Sequence, residues 1–525
     1  MMRRKEGKKV SALVFALALA IQMTGCGGKD SEATDSATTQ ESVEDSGMQS
    51  AQHETIEDSE ESDVALEEPG EKEESPEEDY IIDWKDGNFG RYMQTVTGIT
   101  DRDIMASDVR DITELDLSRV GITDISALNE LENLEELTLN SYSGVSLSLP
   151  KLKKLKIAGG KVNASALSEL SGLTSLDLSG CYEFSDISGL SALSGLTELN
   201  LSMCTNISSI QALSELSNLT TLSLAFCDNI SSLGALSGLS SLTSLDISGC
   251  SNISSIEALS GLSNLTSLNM SYCRNINNID VLSGLNHLAI LDLSYCEAVN
   301  LESLSGLSEL TELNVAGVKA AHDMSNLAVL SEVPNLTKLT ISDQDEYGTS
   351  TDFSILGNIQ KLDTLKITGY YVDINALTEL SQLTTLDLSN ISVDGDMDSL
   401  VNALSQMPNL TAFTFKADNI EDVSALASLS NLKTLGLFDG LVVDFSTLSG
   451  MTNLEELQLR NCNISDVSVL SGLTNLRKLD LSYSYGISDV SPLSALENLE
   501  TLDLTGTSVT DYSPVSFVPE IIQQF

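Results

Sequence analysis

Six cysteines recur at one interval of 23 residues: Cys181, Cys204, Cys227, Cys250, Cys273 and Cys296. A seventh, Cys462, stands in the same local phrase further on. Thiols can ligate metal, pair as disulfides or attack an electrophile, and each chemistry has a geometric requirement. Metal ligation needs sulfurs converging on one point, whereas even spacing sets them in a line. On adjacent strands about 4.8 Å apart the Cα distance permits a disulfide, but parallel Cβ vectors leave the Cβ atoms too far apart. The expectation is a row of buried, reduced, structural thiols whose weak S–H donors face loop carbonyls. No metal site is expected.

Other catalytic constellations fare no better. The three histidines are His53, His287 and His322, and none has a Ser or Cys partner placed by the spacing. Asp177, Asp246, Asp292, Asp387, Asp480 and Asp503 share one place in the repeated phrase. Paired carboxylates at about 5–9.5 Å can hydrolyse glycosides. The same place also holds Asn200, Asn269, Thr138 and Lys366, so the series reads as a solvated strand face. The acidic runs 343–346 and 394–398 start like calcium loops but lack the distal Glu. No catalytic residue and no cofactor is expected.

The elements that position these residues follow from the period. The copy at 242–265 reads LTSLDISGCSNISSIEALSGLSNL, and copies begin at Ile112, Leu134, Leu152, Leu173 and so on to Leu499, making 18 turns of 18–27 residues. A period of 20–29 residues carrying L-x-x-L-x-L-x-x-N/C is the leucine-rich-repeat signature, in which every copy is one solenoid turn that needs its neighbours to bury its apolar face. The predicted fold is an α/β solenoid, a leucine-rich-repeat horseshoe. It has a concave parallel β-sheet from the x-x-L-x-L segments. Ile253, Ile256, Leu259 and Leu262 follow at three-residue spacing, which predicts a 3₁₀ convex side. Residues 321–333 and 397–407 read as short helices packed on the core.

The termini read differently. A basic start, Arg3 to Lys9, leads into the apolar run Val10 to Ile21 and ends at Met23-Thr24-Gly25-Cys26. This resembles the lipobox of bacterial lipoproteins, with Met23 where that family usually has Leu. The resemblance implies removal of residues 1–25 and lipid on Cys26 as the only membrane contact, on the outer face of a bacterial cell membrane. Residues 26–79 form an acidic linker with no hydrophobic periodicity, expected to stay disordered as a stalk. Within it, 27–79 carry 20 acidic residues against Lys29 and Lys72. Residues 80–111, with the only Trp at Trp84, predict a helical N-terminal cap; 112–510 the solenoid; 511–525 a C-terminal cap or tail. The net charge of −50 offers no dense basic field, which disfavours nucleic acid as a partner.

The segments NISDVSVLSGLTNLRKLDLS (463–482) and ITDRDIMASDVRDITELDLS (99–118) resemble the repeats and cap of the internalin family of bacterial surface proteins. That resemblance implies non-catalytic binding of host or other surface proteins through the concave face. The chain departs from it in the 23-residue copies and in lacking a recognisable immunoglobulin-like domain behind the repeats, so no partner identity carries over. The candidate ligand-binding residues lie on the sheet rim. Met203, Phe226, Tyr272 and Tyr295 hold the eighth repeat position, with Gly249 between them and Ile290 nearby on the concave face. Exposed aromatics of this kind fit a protein interface, with a surface polysaccharide as the second ligand class. A self-stacked ladder covering its own backbone, in a spacer with no ligand, stays open as the other reading. Lys338, Lys366 and Lys416, and Lys153, Lys154 and Lys156, form basic patches that could receive an acidic partner or be ordinary surface charge.

Overall fold

The computed structural model describes residues 79–523, apart from 143, 298, 344–351, 395–396, 419, 421–422, 441 and 443. All of them belong to one compact unit, Pro76–Phe525. The lipobox, Cys26 and the acidic linker up to residue 78 lie outside the described residues.

Among the described residues nineteen parallel strands form one sheet, each inner strand hydrogen-bonded to the strands of the turns before and after it. Register is strict: Leu222, Leu245, Leu268 and Leu291 are direct neighbours across four successive strands. Leucines at the fourth and sixth positions point inward and are almost fully buried, as with Leu199, Leu201, Leu222 and Leu224. The third and fifth positions face the concave side. Eighteen strands were expected; Glu520–Ile522 adds a nineteenth by pairing with Thr501–Asp503. The tail thus continues the sheet, because Val515 and Val518 still supply buried apolar side chains.

On the convex side the leucine spacing of three matches the three residues per turn of a 3₁₀ helix, which stacks residues i and i+3 on one face. Leu259, Leu262 and Leu265 donate their N–H groups to Ile256, Leu259 and Leu262 in turn, at 2.9–3.0 Å. The insertion at 321–333 is mostly such structure, a four-residue α-turn (Lys319–His322) and a 3₁₀ segment (Met324–Glu332) burying Leu327 and Leu330. Met397–Leu404 is α-helical, with Leu400, Val401, Ala403 and Leu404 buried.

The first turn is covered by helix Gly87–Thr97. Asp86 caps it through Oδ1, which accepts from the N–H groups of Asn88 and Phe89. Its other oxygen accepts from the N–H and hydroxyl of Thr123 at 2.9 Å, which fastens the cap to the solenoid. These bonds hold the Asp86 carboxyl well below the usual carboxylate range. Phe89 and Met93 are buried, and Trp84 packs edge-on against Phe89 with ring centroids 5.0 Å apart.

Strand length obeys a local rule at the fifth position. Asp, Asn or Ser there coincides with strands of three residues, as in Ser175–Asp177, Glu198–Asn200, Ser244–Asp246 and Thr501–Asp503. The carboxylate or amide oxygen of that residue accepts the N–H two residues on, as Asp246 does from Ser248 at 2.9 Å and Asn269 from Ser271 at 3.0 Å. This Asx turn satisfies an N–H that would otherwise seek the next strand. Where Thr340, Lys366, Thr414, Gly436 or Gln458 stands instead, strands run to 6, 10, 5, 5 and 5 residues. Asp387 is the exception: it caps Ser389, yet strand Thr385–Asp394 resumes after a register break between Leu388 and Ser392.

Candidate functional site

The thiol row is buried, and all seven described cysteines are free. Each Sγ donates to the carbonyl of a sixth-position residue one turn back: Cys204 to Leu178 at 3.2 Å, Cys250 to Leu224 at 3.1 Å, Cys296 to Met270 at 3.0 Å. Cys462 reaches Leu437 in the same way, and Ser484 takes the same place with a 2.9 Å bond to Leu459. The receiving carbonyl also accepts the N–H of the ninth residue of its own turn, as Leu224 does from Cys227 at 3.1 Å. Both lone pairs are therefore used. Burial pushes the thiols of Cys204, Cys227, Cys250 and Cys296 up to about 12, so none is a thiolate near neutral pH.

At the eighth repeat position, one residue before the thiols in six turns and before Val318 in the next, the chain passes through left-handed backbone. Gly180, Met203, Phe226, Gly249, Tyr272, Tyr295 and Gly317 have φ of 74°, 61°, 57°, 71°, 60°, 59° and 72°. Sequence reasoning located the aromatic row but missed its conformation; the glycines interleaved with it were the available signal. Each αL residue donates its N–H to the seventh residue of the next turn, as Tyr272 does to Ser294 at 2.8 Å. The side chains lean toward the following turn. Phe226 lies over Gly249, where an added Cβ would come within 2.5 Å of the ring, and Tyr295 lies over Gly317 at 2.7 Å. Tyr272 and Tyr295 stack with centroids 4.5 Å apart and planes 14° from parallel. Phe226, Tyr272 and Tyr295 remain 42, 41 and 38% exposed, and Met203 is half-buried beneath the hydroxyl of Tyr182. Ile290 is exposed too, but it opens its strand while Tyr295 follows the same strand's end.

The fifth-position carboxylates are half-buried cap groups and not the solvated face expected from sequence. From Asn200 to Asn314 the row runs Asn200, Ser223, Asp246, Asn269, Asp292, Asn314, so that no two carboxylates of this stretch are direct neighbours, whereas Asp480 and Asp503 further on are. Asn314 donates to Asp292 at 2.9 Å. Burial, with a contribution from Asp292, pushes Asp246 above the usual carboxylate range. Asp387 goes the other way: burial raises it, but the Lys366 ammonium at 2.8 Å and the Ser389 N–H outweigh burial and hold it below that range.

The basic patches are neutralised within the sheet. Lys154 pairs with Glu136, Lys156 with Asp177 at 2.7 Å, Lys338 with Glu312 at 3.4 Å and Lys416 with Asp418 at 2.8 Å. Lys153 reaches the carbonyl of Gly172, at 3.4 Å, and makes no ion pair among the described residues. His287 stands 3.3 Å from Glu309 on an exposed corner. Among the described residues no group of three or more His, Cys, Asp or Glu side chains could hold a metal ion. Among them, too, no helix is long and apolar enough to cross a membrane.

Residues 217–261 and 452–495 match the family model for leucine-rich repeats in two copies. No curated protein sequence matches the chain. Among solved structures, the chain is similar to an internalin from Listeria monocytogenes at 21% identity, covering 80% of this chain and 95% of that one, with a TM-score of 0.30. It is also similar to a leucine-rich-repeat protein from Leptospira interrogans at 18% identity, covering 80% and 97%, with a TM-score of 0.38. With its single sheet of parallel strands, its 3₁₀ convex wall and the repeat phrase that generates both, the chain is a leucine-rich-repeat solenoid with a concave sheet.

Proposed function

We propose that the solenoid is a non-catalytic recognition module that binds a protein partner along the rim formed by Met203, Phe226, Tyr272 and Tyr295. One observation carries the reading. Glycine serves the eighth position at Gly180, Gly249 and Gly317 with the same φ, so the fold itself does not require a side chain there. A non-glycine residue in left-handed backbone costs about 1–2 kcal/mol, and strain kept at one place in a structure points to use. Three large aromatics are held in that conformation with their outer parts in solvent. Aromatic side chains are the usual anchors of protein interfaces.

The stacking of Phe226 on Gly249 and of Tyr295 on Gly317 supports the competing reading, in which the rings only shield backbone in a spacer without a ligand. Replacing Phe226, Tyr272 and Tyr295 together by Ala separates the two. A recognition rim predicts at least tenfold weaker retention of proteins from host or bacterial surface extracts. Unchanged retention sinks the rim, and retention of surface polysaccharide in place of protein transfers it to the second ligand class.

The same proposal places the protein outside the cell, tethered by lipid on Cys26. Support comes from the basic start, the apolar run and Gly25-Cys26. Mass spectrometry of the mature N-terminus tests it: a peptide beginning elsewhere, or without acyl mass, rejects the anchor.

A further inference from the structure

The residue after the first leucine of a turn is usually Thr, whose hydroxyl donates to the carbonyl one turn back, as with Thr197, Thr220, Thr337 and Thr411. From Leu432 its type changes. Four successive turns carry Lys433, Glu455, Arg477 and Glu500 there, along the edge where the strands begin. These side chains are about half exposed and pair within the chain, Lys433 with Glu455 at 2.8 Å and Arg477 with Glu500 at 2.6 Å. With Asn453, Asn475 and Asn498 they line a groove of about 680 Å³. Each of these asparagines is anchored by its amide to a carbonyl of the turn before, at 2.8–2.9 Å. The next residue of each turn forms a second row, Thr434, Glu456, Lys478 and Thr501, aligned in register. Lys478 makes no ion pair among the described residues, and Glu456 accepts from Gln458 at 2.6 Å.

Reversed in order, both rows are their own complement in charge. A two-fold axis lying across this edge, midway between strands Glu456–Arg460 and Lys478–Asp480, reverses the order of turns and sets each row against itself. Lys433 then meets Glu500 of the partner subunit, Glu455 meets Arg477 of the partner subunit, and Glu456 meets Lys478 of the partner subunit. Symmetry doubles these three contacts, and no like charges meet in either row. One turn further out, Thr411 and Ala412 are neutral and face the turn of Pro519 and Glu520. An axis placed on a turn would set Glu455 or Arg477 against itself, and a shift of one whole turn either way keeps only one of the three contacts. Alternation that merely stapled successive turns would need no such symmetry in a second row. The net negative charge of two copies opposes association at long range, but salt of about 0.15 M screens that force beyond about 8 Å and spares side chains in contact.

We propose that this edge, from Leu432 to Asp503, is the interface of a tail-to-tail dimer in which the partner is a second copy of the chain. The surface is independent of the rim at 203–295 and does not rest on it.

Sedimentation equilibrium of the full chain across a concentration series, in salt of about 0.15 M, tests it. The parent is expected to pass from monomer to dimer mass. Arg477→Glu and Glu455→Arg are each expected to associate at least tenfold more weakly, because each puts like charges beside the axis. Mixed in equal amounts, the two variants are expected to recover the parent's association as a dimer with one copy of each, because every facing pair of the first row is then opposite in charge. Each variant loses one exposed ion pair, which leaves the fold in place. The triple Phe226, Tyr272 and Tyr295→Ala variant should dimerise as the parent does, which keeps failure here distinct from failure of the rim. A parent that stays monomeric, a reversal that associates like the parent, a mixture that stays monomeric, or loss in the triple variant each overturns the proposal.

Discussion

Two parts of one sheet are built on the same leucines and end differently. Between Leu173 and Leu307 every strand has three residues, closed by an Asp, Asn or Ser at the fifth position, a left-handed eighth residue and a buried thiol. Between Leu336 and Arg460 strands have five to ten residues, and before Asp439 the one described residue with positive φ is Gly369, at 137°. The first block presents cap groups and small hydroxyls on its concave face, with aromatics pushed to the rim. The second brings large side chains onto the face itself, as at Phe438 and Arg460. The leucines set the number of strands. What lies between the fifth and ninth positions sets which side chains the concave face and its rim expose.

The largest expected effect tests the rim turn. Gly249→Ala places a Cβ 2.5 Å from the Phe226 ring and puts alanine at φ 71°. A loss of about 2–4 kcal/mol by chemical denaturation is expected, from left-handed strain plus the clash. Phe226→Ala in the same chain should recover the steric part, about 1 kcal/mol or more in a double-mutant cycle. If no coupling appears, the ring does not lean on Gly249.

A smaller effect contrasts two carboxylates that hold one repeat position. Asp246 is raised and Asp387 lowered relative to an ordinary carboxylate. A raised carboxyl favours the fold when protonated, a contribution complete below its unfolded pKa and lost as pH rises through the folded value. A lowered one contributes above its unfolded pKa and loses that as pH falls through the folded value. Asp246→Asn keeps the acceptor for the Ser248 N–H and should stabilise by up to about 1 kcal/mol at pH 7, with the gain vanishing near pH 3. Asp387→Asn should destabilise by about 1 kcal/mol at pH 7, with the loss shrinking in acid. Denaturation curves at both pH values check the pair, and equal signs at pH 7 would break the contrast.

The smallest effect tests the strand-length rule. Gln458→Asp supplies the missing cap in the wide block and should shorten strand Glu456–Arg460, with stability changed by less than about 1 kcal/mol. Amide exchange at Ala417, Asp439 and Arg460 reads it: faster exchange is expected at the strand's end, and unchanged rates dismiss the rule.

The parts legible in the sequence are those carried by a single residue type at a fixed offset. Leu219, Leu222 and Leu224 announce a strand and its inward face, and Ile256 with Leu259 announces the 3₁₀ wall. The thiols of Cys204 and Cys227 could be placed inside because they keep that register. Other features depend on pairs of turns, which no one turn encodes. Lys366 looked like a free cation until Asp387 was placed beside it, one strand later. Asp177 looked solvated, although its acceptor role toward Ser179 is local and could have been read from the D-x-S spacing. Tyr272 in left-handed backbone contradicts propensity, so only the glycines sharing its position, Gly249 and Gly317, hinted at it. Lys416, Phe438 and Arg460 form a row only because three strands run long together, which the rule at Thr414, Gly436 and Gln458 explains afterwards.

The thiol bonds have one more consequence. Cys204, Cys227, Cys250, Cys273 and Cys296 each donate to the residue 26 places earlier, and Thr197, Thr220, Thr243 and Thr266 each donate to the residue 23 places earlier. Every such bond joins a turn only to the one before it, with the same offset each time. Excising or duplicating one 23-residue copy in frame would therefore leave every donor with an equivalent acceptor. In this block the length of the protein is a copy number, and the sheet with its rim can be lengthened or shortened one turn at a time.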